Sequence, residues 1–431
     1  MVLRATRIAG EVRDGIRTAV SVVEHYLDAI ESADGDIQAW VTADSEGARS
    51  AAKALDGGER SGLPLAGIPV GIKDIIDVAG LPTTAGAGAF AHHTPGEDAP
   101  VVRLLKDAGA VVLGKTATTE FAYMAPASTR NPWNTEHTPG GSSSGSAAAV
   151  ASGMVPVALG SQTVGSVLRP AAYCGVAGFK PTYGAISTEA VVPLSWSLDH
   201  VGLFGRSVED IAVVFNVVAP GAAVRTGRRS GLPRIGVLHS YGADRVSEEI
   251  AQHLEALVAG PLAGVAAFED AEMPTREEWL KAGLVVLAGD AATYHADAFS
   301  RHEGEYREQT ATLVRQGLET SATDYIRAQR ALTKLRVRLA SAIEGFDALM
   351  LPVAPGAAPH GLEFTGDSSF CAPASFAGLP SISLPTAVNA DGLPLAMQLI
   401  GHSGGDHDLL ALAGQVEAAL EFTATPPSFV D

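Results

Sequence analysis

The chain has 431 residues, 46% of them apolar and 18% charged, enough for one large buried core or two domains. Its formal net charge of −18 argues against nucleic acid or an anionic membrane surface as a main partner. Two cysteines, Cys174 and Cys371, are too few for a disulfide framework and read as buried thiols. The N-terminal MVLRATRIAGEVRDG has no apolar core of the signal-peptide kind, and the longest apolar run, Ala147 to Leu159, is broken by Gly153 and Pro156. The expectation is therefore a cytoplasmic protein without a membrane span.

In chain order, Ser21-Val22-Val23-Glu24 has the form of a capping box ahead of the helical pattern HYLDAIES. Residues 65-LAGIPVGIKDIIDVAG-80 read as a strand, a turn and a second strand between Pro64 and Gly80. VVRLLKDAG (101–109) is helical in period, and AVVLG (110–114) reads as a short buried strand. The Ala-rich 145-GSAAAVASG-153 reads as a buried helix of small residues, followed by a strand over VPVALGSQ (155–162). Residues 219–234, APGAAVRTGRRSGLPR, read as an exposed connection, and 234-RIGVLHS-240 as the next strand. From about 245 to 345 the chain is mostly helical and rich in charge. Strand patterns then return at 347–353, 379–388 and 393–401. Alternation of this kind predicts one α/β domain over residues 1–431. A central mixed sheet would be covered by helices on both faces, with a core region at 65–205 and a helical excursion at about 245–345.

Several chemical patterns compete. The segment 109-GAVVLGKT-116 fits the phosphate loop G-x-x-x-x-G-K-[ST], and would make the chain a nucleotide binder. That loop needs freely turning amides between its glycines, whereas Ala-Val-Val-Leu favours a buried strand ending at Gly114. Gly141-Ser142-Ser143-Ser144-Gly145 fits the G-x-S-x-G nucleophile elbow, but the preceding TRNPWNTEHTPG is polar and proline-punctuated where an elbow follows a strand. Asp199 and His200 are adjacent, which prevents both from serving one serine in triad geometry. The run 402-HSGGDHD-408 reads as a polar loop rather than a metal site. Taken alone, Lys73 in PVGIKDII reads as a lysine snorkelling to the surface, and Ser166 as an ordinary turn serine.

Together these residues read differently. GGSSSGSAAAVASG, GSQTVGSVLRPAAYCGVAGFKPTYG and the upstream GIKDIIDVAG resemble the core motifs of the amidase signature family in wording and spacing. The resemblance extends to 113-LGKTATTEFA-122, 348-ALMLPVAPG-356 and 393-LPLAMQLIG-401. It implies the amidase signature fold and a Ser–cis-Ser–Lys triad. Ser166 would be the nucleophile, Ser142 the bridging serine on a cis peptide after Gly141, and Lys73 the base. The main-chain amides of Thr163, Val164, Gly165 and Ser166 would form the oxyanion hole. An ammonium cannot accept a proton, so Lys73 must be held neutral, which burial among Val70, Ile72 and Ile75 favours.

No metal or organic cofactor is implied. The expected substrate is a small-molecule amide, with no nucleic acid or membrane partner. S-Q-T-x-G-S-V-x-R-P over 161–170 is similar to the malonamidase-like subgroup, which acts on small carboxylate-bearing amides and suggests a homodimer. There Arg169, three places after Ser166, would hold the substrate carboxylate; the alternative is a structural arginine paired with a buried carboxylate. Gln162, where many members carry Asp, would be the second substrate-binding residue. Two readings remain open on the same triad: the glutaminase subunit of a glutamyl-tRNA amidotransferase, and an esterase or acyl transferase.

Overall fold

The computed structural model describes residues 4–222, 231–427 and 429. Among the described residues, eleven strands form one sheet. In chain order they are β1 (Trp40–Ala43), β2 (Pro69–Lys73), β3 (Val111–Thr116), β4 (Val157–Gln162), β5 (Ala177–Lys180) and β6 (His200–Gly205). They continue as β7 (Arg234–Val237), β8 (Ala267–Asp270), β9 (Ala348–Pro352), β10 (Ser381–Val388) and β11 (Pro394–Ile400). Across the sheet they run β1-β3-β2-β4-β6-β5-β10-β11-β9-β7-β8. Thirteen helices among the described residues flank the sheet, giving the single α/β domain with a mixed sheet that the alternation predicts.

Among the described residues, parallel pairing is confined to two places. β2 runs parallel to β3 and β4, and β7 runs parallel to β8 and β9. β2, β3 and β4 are buried along their whole length, as strands with both faces covered must be. Their carboxyl ends lie side by side, because Lys73 is level with Thr116 and Ile72 with Leu159. The crevice beyond such ends is where parallel sheets place ligands. Lys73 and Gln162 both sit at that edge as the last residues of their strands.

The Ala-rich segment forms the helix Ser144–Ala151, with every residue buried. Its small residues have a steric reason. A Cβ on Gly145 would lie 2.1 Å from the Ala39 carbonyl oxygen and 2.3 Å from the Ala117 nitrogen. No larger side chain fits where this helix meets the loop leaving β3.

Three local expectations shift. The first long helix is Ala19–Ile37 and its cap is Thr18, whose hydroxyl accepts from Ser21 N, so the apparent box at Ser21 lies inside the helix. Residues after Lys73 form a tight turn and only an isolated bridge, Ile76 with Val191, instead of a second strand. The helical excursion also contributes β8, which pairs with β7 at the sheet margin. The expected connection at 219–234 falls mostly on 223–230, outside the described residues.

Candidate active site

Lys73 is fully buried at the end of β2, with Nζ 2.7 Å from Ser142 Oγ and 2.8 Å from Ser161 Oγ. Among the described residues, no carboxylate is hydrogen-bonded to it. Burial pushes its pKa well below the usual lysine value, and only the charge of Asp199 acts in the opposite direction. The next residue, Asp74, turns away: its Oδ1 pairs with Lys115 Nζ at 3.0 Å and its Oδ2 accepts from Thr84 N at 3.1 Å. The carboxylate nearest in sequence is thus already spent on another cation.

The Gly141–Ser142 peptide is cis. Arg169 Nη2 donates to the Gly141 carbonyl at 2.6 Å, and Thr119 N donates to the Ser142 carbonyl at 3.1 Å, so both sides of this peptide are held. The other serines of the run serve the fold. Ser143 Oγ donates to Ser161 O (3.1 Å) and accepts from Ser161 N (3.2 Å), clipping the helix start to β4. Ser144 Oγ donates to Gly140 O, and Ser146 Oγ to Leu159 O.

Ser166 lies in the turn between β4 and the short helix Leu168–Cys174, and its carbonyl accepts from Ser143 N at 3.3 Å. Among the described residues, the amides of Thr163, Val164, Gly165 and Ser166 donate no hydrogen bond, whereas those of Val167 and Leu168 both donate to Gln162 Oε1 at 2.8 and 2.9 Å. The resemblance places the oxyanion hole on the four open amides. The hydroxyls of Ser142 and Ser166 are not hydrogen-bonded to each other in this structure.

Both expected substrate contacts are engaged with protein. Gln162 uses its carbonyl on the two amides and its Nε2 on Ser375 Oγ at 2.9 Å. Arg169 is buried, its Nη1 bonded to Gly366 O and its Nη2 to Gly141 O, while Nε has no partner among the described residues. Two residues next to the expected set are given no role by the motif wording. Ser161 is a second hydroxyl on Lys73, detectable only once β2 and β4 are known to be neighbours. Asp199 accepts from Thr163 Oγ1 at 2.5 Å and from the amides of Leu194 and Ser195. Burial raises its pKa to about 6 against the pull of those bonds.

The competing motifs take ordinary places. Gly109 to Thr116 leads into β3, and Lys115 is buried with Asp74 and Thr83 rather than open to a phosphate. His200 Nδ1 lies 3.1 Å from Gln162 O, and burial pushes this imidazole well below its usual pKa. In the 402–408 run, Asp406 accepts from Thr182 N and Oγ1 at 2.7 and 2.6 Å.

The protein-family model described as Amidase matches residues 21–410. The chain belongs to the amidase family. It is 34% identical to the A subunit of the glutamyl-tRNA(Gln) amidotransferase of Moorella thermoacetica, over 93% of each chain. A crystal structure of an amidase superposes with a TM-score of 0.89 at 32% identity, covering 96% of this chain and 99% of the other. The peptide amidase of Stenotrophomonas maltophilia superposes with a TM-score of 0.86 at 29% identity, covering 98% of each. The chain is accordingly an amidase signature hydrolase acting on carbon–nitrogen bonds. The expectation of no nucleic-acid partner is overturned, because the Moorella relative is named for a tRNA-directed enzyme. Net charge averages over a whole surface, and in a multi-subunit enzyme it does not say which chain meets the nucleic acid. Among the described residues, no helix is long and apolar enough to cross a membrane.

Proposed function

We propose that this chain cleaves a primary amide through an acyl-enzyme on Ser166, and that it does so as the glutamine-cleaving component of an amidotransferase of the glutamyl-tRNA type. The observation carrying the chemistry is the buried Lys73 amine between two hydroxyls with no bonded carboxylate. A neutral amine has two N–H bonds and a lone pair, so Lys73 donates to Ser161 while accepting from Ser142. Ser142 then takes the Ser166 proton as Ser166 Oγ attacks the amide carbon. The four open amides receive the developing oxyanion. Collapse of the tetrahedral species breaks the C–N bond, the proton returns from Lys73 through Ser142 to the nitrogen, and ammonia leaves. Water enters by the same relay and releases the acid. The end-to-end match to amidotransferase relatives, at 30–34% identity, supports glutamine as the amide.

A second reading is a free-standing amidase, a homodimer for small acidic amides, with Arg169 as carboxylate anchor. The similarity to a solved amidase structure and the Arg169 Nε, unpartnered among the described residues, favour it. Ammonia release from glutamine and from malonamic acid, by wild type and Arg169→Ala, separates the two. Preferential turnover of malonamic acid that Arg169→Ala abolishes selectively would replace the first reading with the second. Added hydroxylamine reports acyl transfer as hydroxamate.

A further inference from the structure

The loop bearing the four open amides is held from outside the triad. Thr163, its first residue, is buried and its hydroxyl donates to Asp199 Oδ1 at 2.5 Å. Asp199 Oδ2 is in turn gripped by the amides of Leu194 and Ser195 at 2.9 and 3.0 Å. The segment 194–198 has its own anchor on the helix Arg276–His302. Asp290 Oδ2 accepts from Ser195 Oγ at 2.6 Å, from Ser197 N at 3.3 Å and from Ser197 Oγ. Its Oδ1 accepts from the Tyr325 hydroxyl at 2.6 Å, and that hydroxyl accepts from Gln329 Nε2 at 3.1 Å. Tyr325 and Gln329 belong to the helix Ala322–Ile343.

This is an unbroken chain of polar contacts from the helical layer to the loop, with two carboxylates at its nodes and donors on every branch. A carboxylate that accepts several donors fixes them more rigidly than neutral acceptors do. Both carboxylates converge on one five-residue segment: Leu194 and Leu198 seat it in the core while Trp196 is half exposed, and the carboxylate contacts fix how the segment presents Asp199. Its end point is the turn whose amides must face the reacting carbonyl oxygen, where small displacements cost large factors in rate.

We propose that Asp199 and Asp290 are positioning residues for amide cleavage: Asp199 holds the Thr163 end of the oxyanion loop, and Asp290 holds the segment that presents Asp199. This rests on the proposed attack by Ser166. It makes the helical layer, which contributes nothing to the triad, part of what aligns the transition state. The effect falls on kcat, because the held amides act on charge that exists only in the transition state.

The test compares Thr163→Val, which keeps shape and loses the hydroxyl, with Thr163→Ser, which keeps the hydroxyl, and with Tyr325→Phe, Asp290→Asn and the Thr163→Val/Tyr325→Phe double variant. Steady-state kinetics on glutamine or another turned-over amide are read beside the labelling rate of Ser166 by a fluorophosphonate probe and the thermal midpoint. Thr163→Val lowers kcat and labelling rate by about tenfold with KM within about twofold, a fraction of the loss expected for deleting an oxyanion donor outright. Thr163→Ser restores most of the kcat and labelling rate that Thr163→Val loses. Asp290→Asn and Tyr325→Phe fall in between, and the double variant is no worse than Thr163→Val, as expected for one path. Equal losses in Thr163→Val and Thr163→Ser, or wild-type kcat in Thr163→Val, overturn the role of Asp199. Additivity in the double variant overturns the role of Asp290, and does so even if Asp290→Asn fails to fold. Labelling of wild type without amide turnover would count against the amide reading alone, because the labelling rates still test the positioning.

Discussion

Two lysines on neighbouring strands have been taken out of water, and their fates differ. Lys73 ends β2 and Lys115 lies in β3, level with Ile72, and both are fully buried. Lys115 meets a carboxylate, Asp74, and is further bonded to Thr83 Oγ1 and Pro82 O. Lys73 is hydrogen-bonded, among the described residues, only to hydroxyls. Burial lowers both pKa values, but at Lys115 the Asp74 charge opposes it directly, while at Lys73 only the more remote Asp199 does. The same side chain at the same depth is therefore an ion-pair partner in one strand and, in the proposed function, the base in the next. The difference lies in which way Asp74 faces.

The comparison is broken most sharply by removing each amine. Lys73→Met should abolish ammonia release, a loss of about a thousandfold or more for a group that acts within a catalytic unit. Ser166→Ala should match it, and substantial residual turnover in that variant would mean the nucleophile is elsewhere. Lys115→Met should instead act on stability, by about 3–5 kcal/mol in denaturant unfolding, because it strands the buried Asp74 charge. A Lys115→Met protein as stable as wild type would erase the distinction.

Stability against pH sharpens the same contrast. The Lys73 pKa is lower in the fold than in the unfolded chain, so between the two values the unfolded state binds a proton that the native state does not. That contribution destabilises the fold at neutral pH and fades as pH rises towards the unfolded value, near 10.5. Lys73→Met should raise the unfolding midpoint at pH 7, with the gain shrinking in alkali. Activity should follow neutral Lys73 and fall on the acid side. Asp199 favours the charged lysine, so Asp199→Asn should move that acid limb to lower pH; an upward move would mean Asp199 does not act on Lys73. Ser161→Ala, which removes one hydroxyl from Lys73, should cost about tenfold in kcat, the scale of one hydrogen bond to such a group.

Much of this is legible in the residues. Motif wording marks Lys73, Ser142 and the 163–166 turn, and the alternation of helix and strand periods marks the sheet. The roles of Ser161 and Asp199 are not legible, since each depends on a pairing across the sheet or on a segment folding back. β4 must pair with β2 before Ser161 meets Lys73, and the 194–198 segment must close before Asp199 meets Thr163. In the sequence Asp199 stands beside His200, which invites comparison with a triad and hides its role as a holder of the loop. The strand preference of Ala-Val-Val-Leu does suffice to set Lys115 apart from a phosphate loop. That Lys115 neutralises Asp74 and also holds Thr83, thirty-two residues before it, has no local signal.

β8 bears on a different matter, how such a wide sheet ends. It is a four-residue, largely exposed margin carrying Glu269 and Asp270, and Arg234 of β7 is paired bidentately with Glu269 at 2.9 Å. A short rim of like charge is a poor template for another strand. The helical excursion that supplies Asp290 therefore also finishes the sheet with a margin ill suited to edge-to-edge pairing.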